Sequence, residues 1–172
     1  MKLVKLGEKI SYLTKSTREK QTTISFGEAY HLWYTLVSRY DALHLTNILD
    51  RFTKDEDLKR ILHDGLEILN SQIFRLESAM KEFGIPMPNK PPEQANINLD
   101  VNAITDQTIF RQIFDGLRHS LLLYTNNFNQ SPTSTIRELF RGFLKEEMEL
   151  LDKLFEYGKL KGYLNEIPTF RS

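Results

Sequence analysis

The sequence predicts an all-α protein: a bundle of four long helices, with one long proline-rich crossover between the second helix and the third. Three observations predict it. Four long segments repeat apolar residues at the spacing of one helix face. No run alternates apolar and polar residues as a half-buried strand would. Two connections between the segments are short, and the remaining one is long and holds four of the six prolines.

The first two helices are predicted at residues 25–52 and 54–83. Each opens with a capping box, in which a Ser or Thr is followed three residues later by a Glu. The two boxes are Ser25 with Glu28 and Thr53 with Glu56. The second helix ends at Gly84, before Ile85 and Pro86, and this order of glycine and proline is typical of a helix end.

The third and fourth helices are predicted at residues 106–130 and 132–158. Ser131 followed by Pro132 marks the start of the fourth, because a cap residue followed by proline in the first turn is a common helix start. Both helices carry a clear apolar stripe. The stripe residues are Ile109, Phe110, Ile113, Phe114, Leu117, Leu121, Tyr124 and Phe128, and then Ile136, Leu139, Phe140, Phe143, Leu150, Leu151 and Leu154.

The connections predict the topology. Helices one and two join almost directly, as do three and four, so each pair must form an antiparallel hairpin. The proline-rich segment 85–104 is expected to be extended, at about 3.1 Å per residue. It can therefore run the ~40 Å length of a bundle helix. This predicts the ferritin-like arrangement, in which helices two and three are parallel and so are helices one and four.

Composition limits the classes of protein. The 172 residues are 40% hydrophobic and 27% charged, as in one globular domain. No apolar run approaches the ~20 residues that span a bilayer, and charge interrupts the first residues too often for a secretory signal. The absence of cysteine excludes disulfides, thiolate zinc sites and thiol catalysis. A net charge of +0 argues against broad electrostatic binding of nucleic acid.

We divide the chain into a basic N-terminal arm at residues 1–24, a four-helix bundle at 25–164 and a C-terminal tail at 165–172. The arm holds six basic and two acidic side chains. It would lie on the acidic remainder of the chain, contact a partner, or form a partly ordered, solvated tail.

Several stretches resemble a bacterial family of unknown function that is classed as ferritin-like. They are GEAYHLWYTLVSRYD, DLKRILHDGLEILNSQIFRLE, IPMPNKPP, TDQTIFRQIFDGLR, IRELFRGFLKEEMELLDKL and EYGKLKGYL. The family occurs mainly in spore-forming bacilli and is similar to spore coat protein F. The resemblance covers about residues 22–168. It implies a ferritin-like fold in a cytoplasmic or spore-associated setting, and it brings no known activity and no catalytic residues.

Glu28 and His31 have the Glu-x-x-His spacing that ferritin-like bundles use in di-iron sites. At ~100° per residue, both fall far from the predicted core stripe of the first helix. The centre of that stripe is formed by Trp33, Leu36, Val37 and Tyr40. We therefore expect Glu28 and His31 to face solvent, with Glu28 serving only as the capping residue.

Two polar side chains are predicted to face the core, Glu147 on the fourth helix and His44 on the first. A buried carboxylate is costly unless it is paired and hydrogen-bonded. We therefore predict a buried polar network of Tyr40, His44, Gln72 and Glu147. The alternatives are a small polar pocket, or a metal site with fewer ligands than a di-metal centre, in which Glu147 and His44 are the candidate ligands for iron or manganese. One carboxylate and one histidine are too few for a di-metal centre, so we expect no resident cofactor.

Two functions of different classes follow. The first is a non-enzymatic structural or interaction protein that self-associates through off-core apolar residues; the partner protein is not indicated. These residues are Leu32, Leu45, Phe74, Leu122 and Leu123. The second is a metal-binding ferritin-like oxidoreductase or metal-storage domain, which would require inward carboxylates on all four helices. The sequence contains no phosphate-binding glycine loop and no readable nucleophile–base pair.

Overall fold

The computed structural model describes residues 16–92, 104–165 and Phe170, and these residues form five helices and no strand. The helices are α1 (Thr17–Gln21), α2 (Phe26–Asp50), α3 (Glu56–Glu82), α4 (Asp106–Gln130) and α5 (Ser134–Lys161). The last four are the long helices that the sequence predicts, with ends within three residues of the predicted ones. The all-α class is thus confirmed. None of the described helices is long and apolar enough to cross a membrane.

The caps explain where the helices begin. Ser25 and Glu28 form the predicted capping box of α2, with both reciprocal hydrogen bonds present. The predicted box at Thr53 is wrong, because Asp55 caps α3 by accepting from the backbone N–H groups of its first turn. The Thr53 hydroxyl instead donates to the carbonyl of Leu49, 3.0 Å away. An acidic side chain next to the helix start is favoured by the helix dipole as well.

Contacts between helix ends define how the four long helices are placed. The backbone N–H of Lys54, just before α3, donates to the Asp106 carboxylate at the start of α4 (2.8 Å). The backbone N–H of Thr133, just before α5, donates to Glu28 at the start of α2 (2.8 Å). Helices α3 and α4 therefore begin at one end of the bundle, and α2 and α5 begin at the other. Residues 93–103 of the predicted crossover lie outside the described residues, so its course stays a prediction.

The bundle has two diagonals. Helix α2 packs against α3 and α4, and α5 packs against the same two helices. The helices on opposite corners are therefore α2 with α5, and α3 with α4. Contacts that join opposite corners must pass through the centre of the bundle, which is where the polar residues described below lie.

The apolar core consists of two clusters at different heights along the bundle. The first holds Leu32, Leu36, Tyr40, Ile73, Leu76, Met80, Phe83, Tyr124, Ile136, Phe140 and Phe143. The second holds Leu49, Leu58, Leu62, Ile109, Phe110, Leu117, Leu150, Leu154 and Tyr157. On α5 the clusters are separated by Glu147, and on α4 by Ser120. Polar residues thus lie between the two halves of the core.

The core face of α2 differs from the predicted one. Leu32 and Leu36 are fully buried, whereas Trp33, expected at the stripe centre, is 39% exposed. Leu32 was expected off the core, and that expectation is wrong. Leu123 on α4 was also expected off the core, yet it packs against the first cluster. The predicted core stripe of α2 was misplaced because exposed aromatic side chains, such as Trp33, were counted as core residues.

The last residues of the predicted N-terminal arm contact the bundle. Lys20 of α1 forms an ion pair with Glu82 at the end of α3 (2.6 Å), and Ile24 packs against the first core cluster. The Gln21 side chain donates to the carbonyl of Gly84, 3.4 Å away. Residues 1–15 of the arm, and residues 166–169, 171 and 172 of the predicted tail, lie outside the described residues.

Candidate functional site

A buried ion pair crosses the centre of the bundle. Glu147 on α5, predicted to face the core, is 2% exposed, and Arg39 on α2 is buried beside it. The guanidinium Nη1 donates to Oε1 of Glu147 over 2.9 Å. Because α2 and α5 occupy opposite corners, this ion pair connects one diagonal of the bundle. Arg39 is absent from the network that the sequence predicts.

Arg39 is also fixed to α4. Its Nη2 donates to the hydroxyl of Ser120 over 2.6 Å, and that hydroxyl donates to the carbonyl of Gly116 over 3.0 Å. The guanidinium carbon lies 5.3 Å from the centre of the Tyr124 ring, within the range of a cation–π contact. The buried positive charge is therefore held by a carboxylate, a hydroxyl and an aromatic face.

A second set of hydrogen bonds connects the other diagonal. The Tyr124 hydroxyl on α4 donates to the side-chain carbonyl of Gln72 on α3 (2.9 Å). The Gln72 amide donates to Glu146 (3.2 Å), and Arg75 donates to both carboxylate oxygens of Glu146, at 2.8 and 2.6 Å. The second chain of contacts therefore runs from the centre of the bundle to the partly exposed Arg75–Glu146 pair.

Burial controls the ionisation of Glu147. Desolvation raises the pKa of its carboxyl group, while the Arg39 charge and the Gln72 amide act in the opposite direction. The net direction is upward, so Arg39 offsets only part of the cost of burying the carboxylate. One oxygen of Glu147, Oε2, and the Nε of Arg39 are buried without a hydrogen-bond partner.

The structure separates two of the predicted network residues from Glu147. The Tyr40 hydroxyl donates to Glu77 over 2.6 Å, and Glu77 also pairs with Lys90 (3.2 Å). His44 is half-buried, and among the described side chains it makes no hydrogen bond to the other three predicted members. Of the other three predicted members, Gln72 is the one that acts on the pKa of the Glu147 carboxyl, although its amide donates to Glu146. The predicted network is therefore wrong in including Tyr40, which is bonded to Glu77.

The sequence did contain a signal for Arg39. Leu32, Leu36, Arg39, Leu43 and Thr46 follow steps of four and three residues, the spacing of an inward helix face. A charged residue at that spacing is an inward candidate, just as Glu147 is on α5. The signal was missed because an arginine normally lies at the surface.

A cavity of about 410 Å³ lies beside the ion pair, and all four long helices contribute to its walls. Its polar lining includes Arg39, Ser120 and Glu147, and most of the remaining wall is aliphatic. Gln112 and His119, which are exposed residues of α4, are also part of the lining. The cavity therefore connects the bundle centre with the surface.

The Glu28–His31 pair has a structural role. Glu28 was expected to face solvent, but it is fully buried, so that expectation is wrong. Its carboxylate accepts hydrogen bonds from the backbone N–H and the hydroxyl of Thr133, at 2.8 and 3.1 Å. These bonds attach the residue that precedes α5 to the start of α2. His31 contacts Gln130 at 3.0 Å. Within the described ranges, no three His, Asp or Glu side chains are grouped so that they could hold a metal ion.

These features define a helical bundle protein whose central charges neutralise each other beside an amphipathic cavity. The chain belongs to a family described as "Protein of unknown function (DUF3231)", whose family model matches residues 13–172. This agrees with the resemblance to a family of unknown function.

Two relatives are similar to this chain. A crystal structure of a protein from Bacillus halodurans C-125, assigned provisionally to the spore coat, superposes with a TM-score of 0.80 at 21% identity. The superposition covers 87% of this chain and 96% of that one, and at this identity it shows the fold alone. The uncharacterised protein YvdQ of Bacillus subtilis (strain 168) is 25% identical over 75 residues, which are 44% of this chain and 44% of YvdQ.

The ion pair predicts an asymmetry between single and double substitutions. Arg39→Met leaves the Glu147 carboxylate buried without its charge partner, so we expect the free energy of unfolding to fall by about 3–5 kcal/mol. The double variant Arg39→Met/Glu147→Leu removes both charges and should regain most of this loss. Urea denaturation at neutral pH measures both values. A single variant as stable as the wild type would show that the pair is not formed.

The Tyr40–Glu77 contact predicts a pH dependence. The hydrogen bond from the Tyr40 hydroxyl holds the pKa of Glu77 below its ordinary value of 4.5, and Lys90 lowers this pKa further. A lowered pKa in the folded state contributes stability above the unfolded pKa, and this contribution is lost as the pH falls through the folded pKa. Tyr40→Phe should therefore cost about 1.5–3 kcal/mol near neutral pH, and less in acid.

Urea denaturation of this variant near pH 7 and near pH 3 tests the expectation. The matched control is Tyr30→Phe, which removes a hydroxyl from an exposed ring and should change stability little at either pH. An equal loss at both pH values in Tyr40→Phe would mean that the hydroxyl does not act through the Glu77 charge.

Proposed function

We propose that this protein is a non-enzymatic structural or interaction protein, built on a ferritin-like bundle, that works in a cytoplasmic or spore-associated setting. The observation that carries the proposal is an exposed aromatic face on α2. We call it the α2 aromatic face, and its members are Phe26, Tyr30, Trp33 and Tyr34. Their spacing of four, three and one residues places them on one side of the helix.

The α2 aromatic face has the composition of an interaction surface. Phe26 is 90% exposed, and the rings of Tyr30 and Tyr34 stack with their centres 5.8 Å apart. Large aromatic side chains provide much of the binding energy in protein interfaces, and contiguous exposed apolar patches mark such sites. Among the described residues, the two core clusters are filled without Phe26, Tyr30, Trp33 or Tyr34.

The partner that we propose is a second copy of the chain, as expected from the off-core apolar residues. A net charge of +0 means that two copies do not repel each other strongly at long range. A helix face can meet its own copy about a two-fold axis, which is the commonest symmetry of soluble dimers. Among the residues first expected to form this surface, Phe74 and Leu122 are both 70% exposed and lie outside the α2 aromatic face.

Two findings support the setting and the fold. The Bacillus halodurans relative is assigned provisionally to the spore coat and has a similar fold. The contacts at Lys54–Asp106 and Glu28–Thr133 fit the ferritin-like order, because they place α3 parallel to α4 and α2 parallel to α5.

We also propose that the protein works without a resident metal. In ferritin-like metal sites, inward carboxylates and histidines from all four helices surround the cation. Here the guanidinium of Arg39 faces the inward carboxylate of Glu147 and supplies the positive charge itself. The competing function, a metal-binding oxidoreductase or storage domain, would require a metal ion to displace this ion pair.

Metal analysis separates these two functions. We expect protein purified without added metal to contain far less than one iron or manganese ion per chain. Added iron or manganese should not change the thermal unfolding midpoint, because the described helices offer no group of three His, Asp or Glu side chains through which a metal ion would stabilise the folded state. Near-stoichiometric metal in the purified protein, lost in Glu147→Gln, would favour the metal-binding function instead.

Self-association is tested by light scattering coupled to size-exclusion chromatography. We expect concentration-dependent dimers of the wild type, and we expect Tyr30→Ser/Trp33→Ser to raise the dissociation constant by at least about tenfold. The control is Leu160→Ser on α5, at the opposite corner of the bundle, which removes an apolar side chain that is 77% exposed. A wild type that remains monomeric at every concentration, or a control that dissociates equally, would contradict the proposal.

A further inference from the structure

We infer that the cavity beside the Arg39–Glu147 ion pair is a binding site for a neutral aliphatic molecule with a hydroxyl or primary amide at one end. The inference does not rest on self-association or on a spore setting. It rests on the size of the cavity, its aliphatic wall, and two unpaired polar atoms of the ion pair.

The cavity is too large to be an ordinary packing defect. Its volume of about 410 Å³ lies within the range of roughly 300–1,000 Å³ that is typical of small-molecule sites. Protein interiors are otherwise close-packed, with few voids larger than a water molecule. The space is open at the surface, so an apolar molecule bound there would remove the aliphatic wall from water.

The wall determines the body of the ligand. Branched aliphatic side chains form the largest group in the lining, and all four long helices contribute them. They are Leu45, Ile61, Leu62, Ile68, Leu69, Ile113, Leu117, Leu123 and Leu150. Of the lining residues, Tyr34 is the aromatic one at the edge, where it is partly exposed. Such a wall suits an apolar hydrocarbon body.

Two glycines make room in the wall. Gly116 on α4 is at the cavity, and a Cβ atom added there would have no neighbour within 4 Å. Gly65 on α3 also lines the cavity, and its added Cβ would lie 3.4 Å from Leu150. Glycine in the middle of a helix is less stable than alanine. At Gly116 alanine would fit without a clash, so close packing does not explain this glycine.

The ion pair determines the polar end of the ligand. Both side chains are more than nine-tenths buried and line the cavity. Arg39 Nε has an unused N–H donor, and Glu147 Oε2 is an unused acceptor. A hydroxyl or a primary amide both accepts and donates, so one such group matches the two atoms. The pair is neutral in sum, so a carboxylate or an ammonium group would enter without a free counter-charge.

The way in lies between α2 and α4. Five lining residues are exposed: Tyr34 and Leu45 on α2, and Gln112, Gly116 and His119 on α4. Arg39 and Glu147 lie at the buried end of the same space. A ligand would therefore enter with its polar end first and leave its hydrocarbon chain against the aliphatic wall.

Isothermal titration calorimetry of the full chain tests the site with two probes of equal length, octan-1-ol and octanoate. We expect saturable binding of one octan-1-ol per chain, and binding of octanoate at least tenfold weaker at pH 8, where this carboxylate is ionised. Absence of saturable octan-1-ol binding would overturn the inference. Equal or tighter binding of octanoate would overturn the assignment of a neutral polar end.

Substitutions at two glycines show where the probe binds. Gly116→Leu puts a side chain into the cavity from an exposed helix position, so the variant should fold and lose octan-1-ol binding. Gly142→Leu on α5 is the matched control, because Gly142 does not line the cavity and has only the flexible Arg75 side chain near an added Cβ, at 3.5 Å. Circular dichroism checks that both variants fold. Wild-type binding by Gly116→Leu would place the probe elsewhere and overturn the inference.

Glu147→Gln tests the polar end. Removal of the negative charge leaves Arg39 as the dominant charge beside the cavity, so the preference between the two probes should reverse, with octanoate binding more tightly than octan-1-ol. An unchanged preference in the folded variant would show that the ion pair does not contact the ligand. If this variant does not fold, the Gly116→Leu comparison decides alone. Light scattering of the same samples reports self-association separately.

Discussion

The rest of the structure depends on the buried ion pair between Arg39 and Glu147. It joins α2 and α5, which occupy opposite corners of the bundle, and Ser120 extends it to α4. The Tyr124–Gln72 hydrogen bond crosses the other diagonal. A slip of one helix by one turn would leave a full charge buried and unpaired, which costs far more than a repacked leucine. The polar centre therefore fixes the register of all four long helices.

The same polar centre divides the hydrophobic core and accounts for the cavity. Arg39 and Glu147 each keep one buried polar atom without a hydrogen-bond partner, and both line the cavity. Two glycines nearby, Gly65 and Gly116, leave the adjacent wall thin. The stability of the fold then rests on the two apolar clusters on either side, and the space between them becomes available for binding. One constraint thus specifies both the fold and the candidate site.

The sequence predicted those features that depend on local pattern. The four long helices were predictable because each has a long apolar stripe. Their ends were predicted to within three residues, although Asp55 and not Thr53 caps α3, and Thr133 and not Ser131 precedes α5. Glu147 was found because it interrupts a clean stripe. The face of α2 was not found, since its exposed aromatic residues and its inward Arg39 reverse the usual rule for each residue type. The volume and lining of the cavity could not be predicted from the sequence, because they depend on how four helices pack together and not on any one segment.

Tyr34 links the two proposed binding surfaces. It belongs to the α2 aromatic face and also lines the cavity. Its ring stacks on Tyr30, which lies further from the cavity along the same helix. Coupling between two binding events is reciprocal. If a bound ligand changes the affinity of one copy for another by some factor, dimer formation changes the affinity for the ligand by the same factor. A second copy seated on α2 would restrict Tyr34 and, with it, the gap between α2 and α4 through which a ligand enters. The outer face of α2 and the polar centre of the bundle are carried by the same helix, whose inward residue is Arg39.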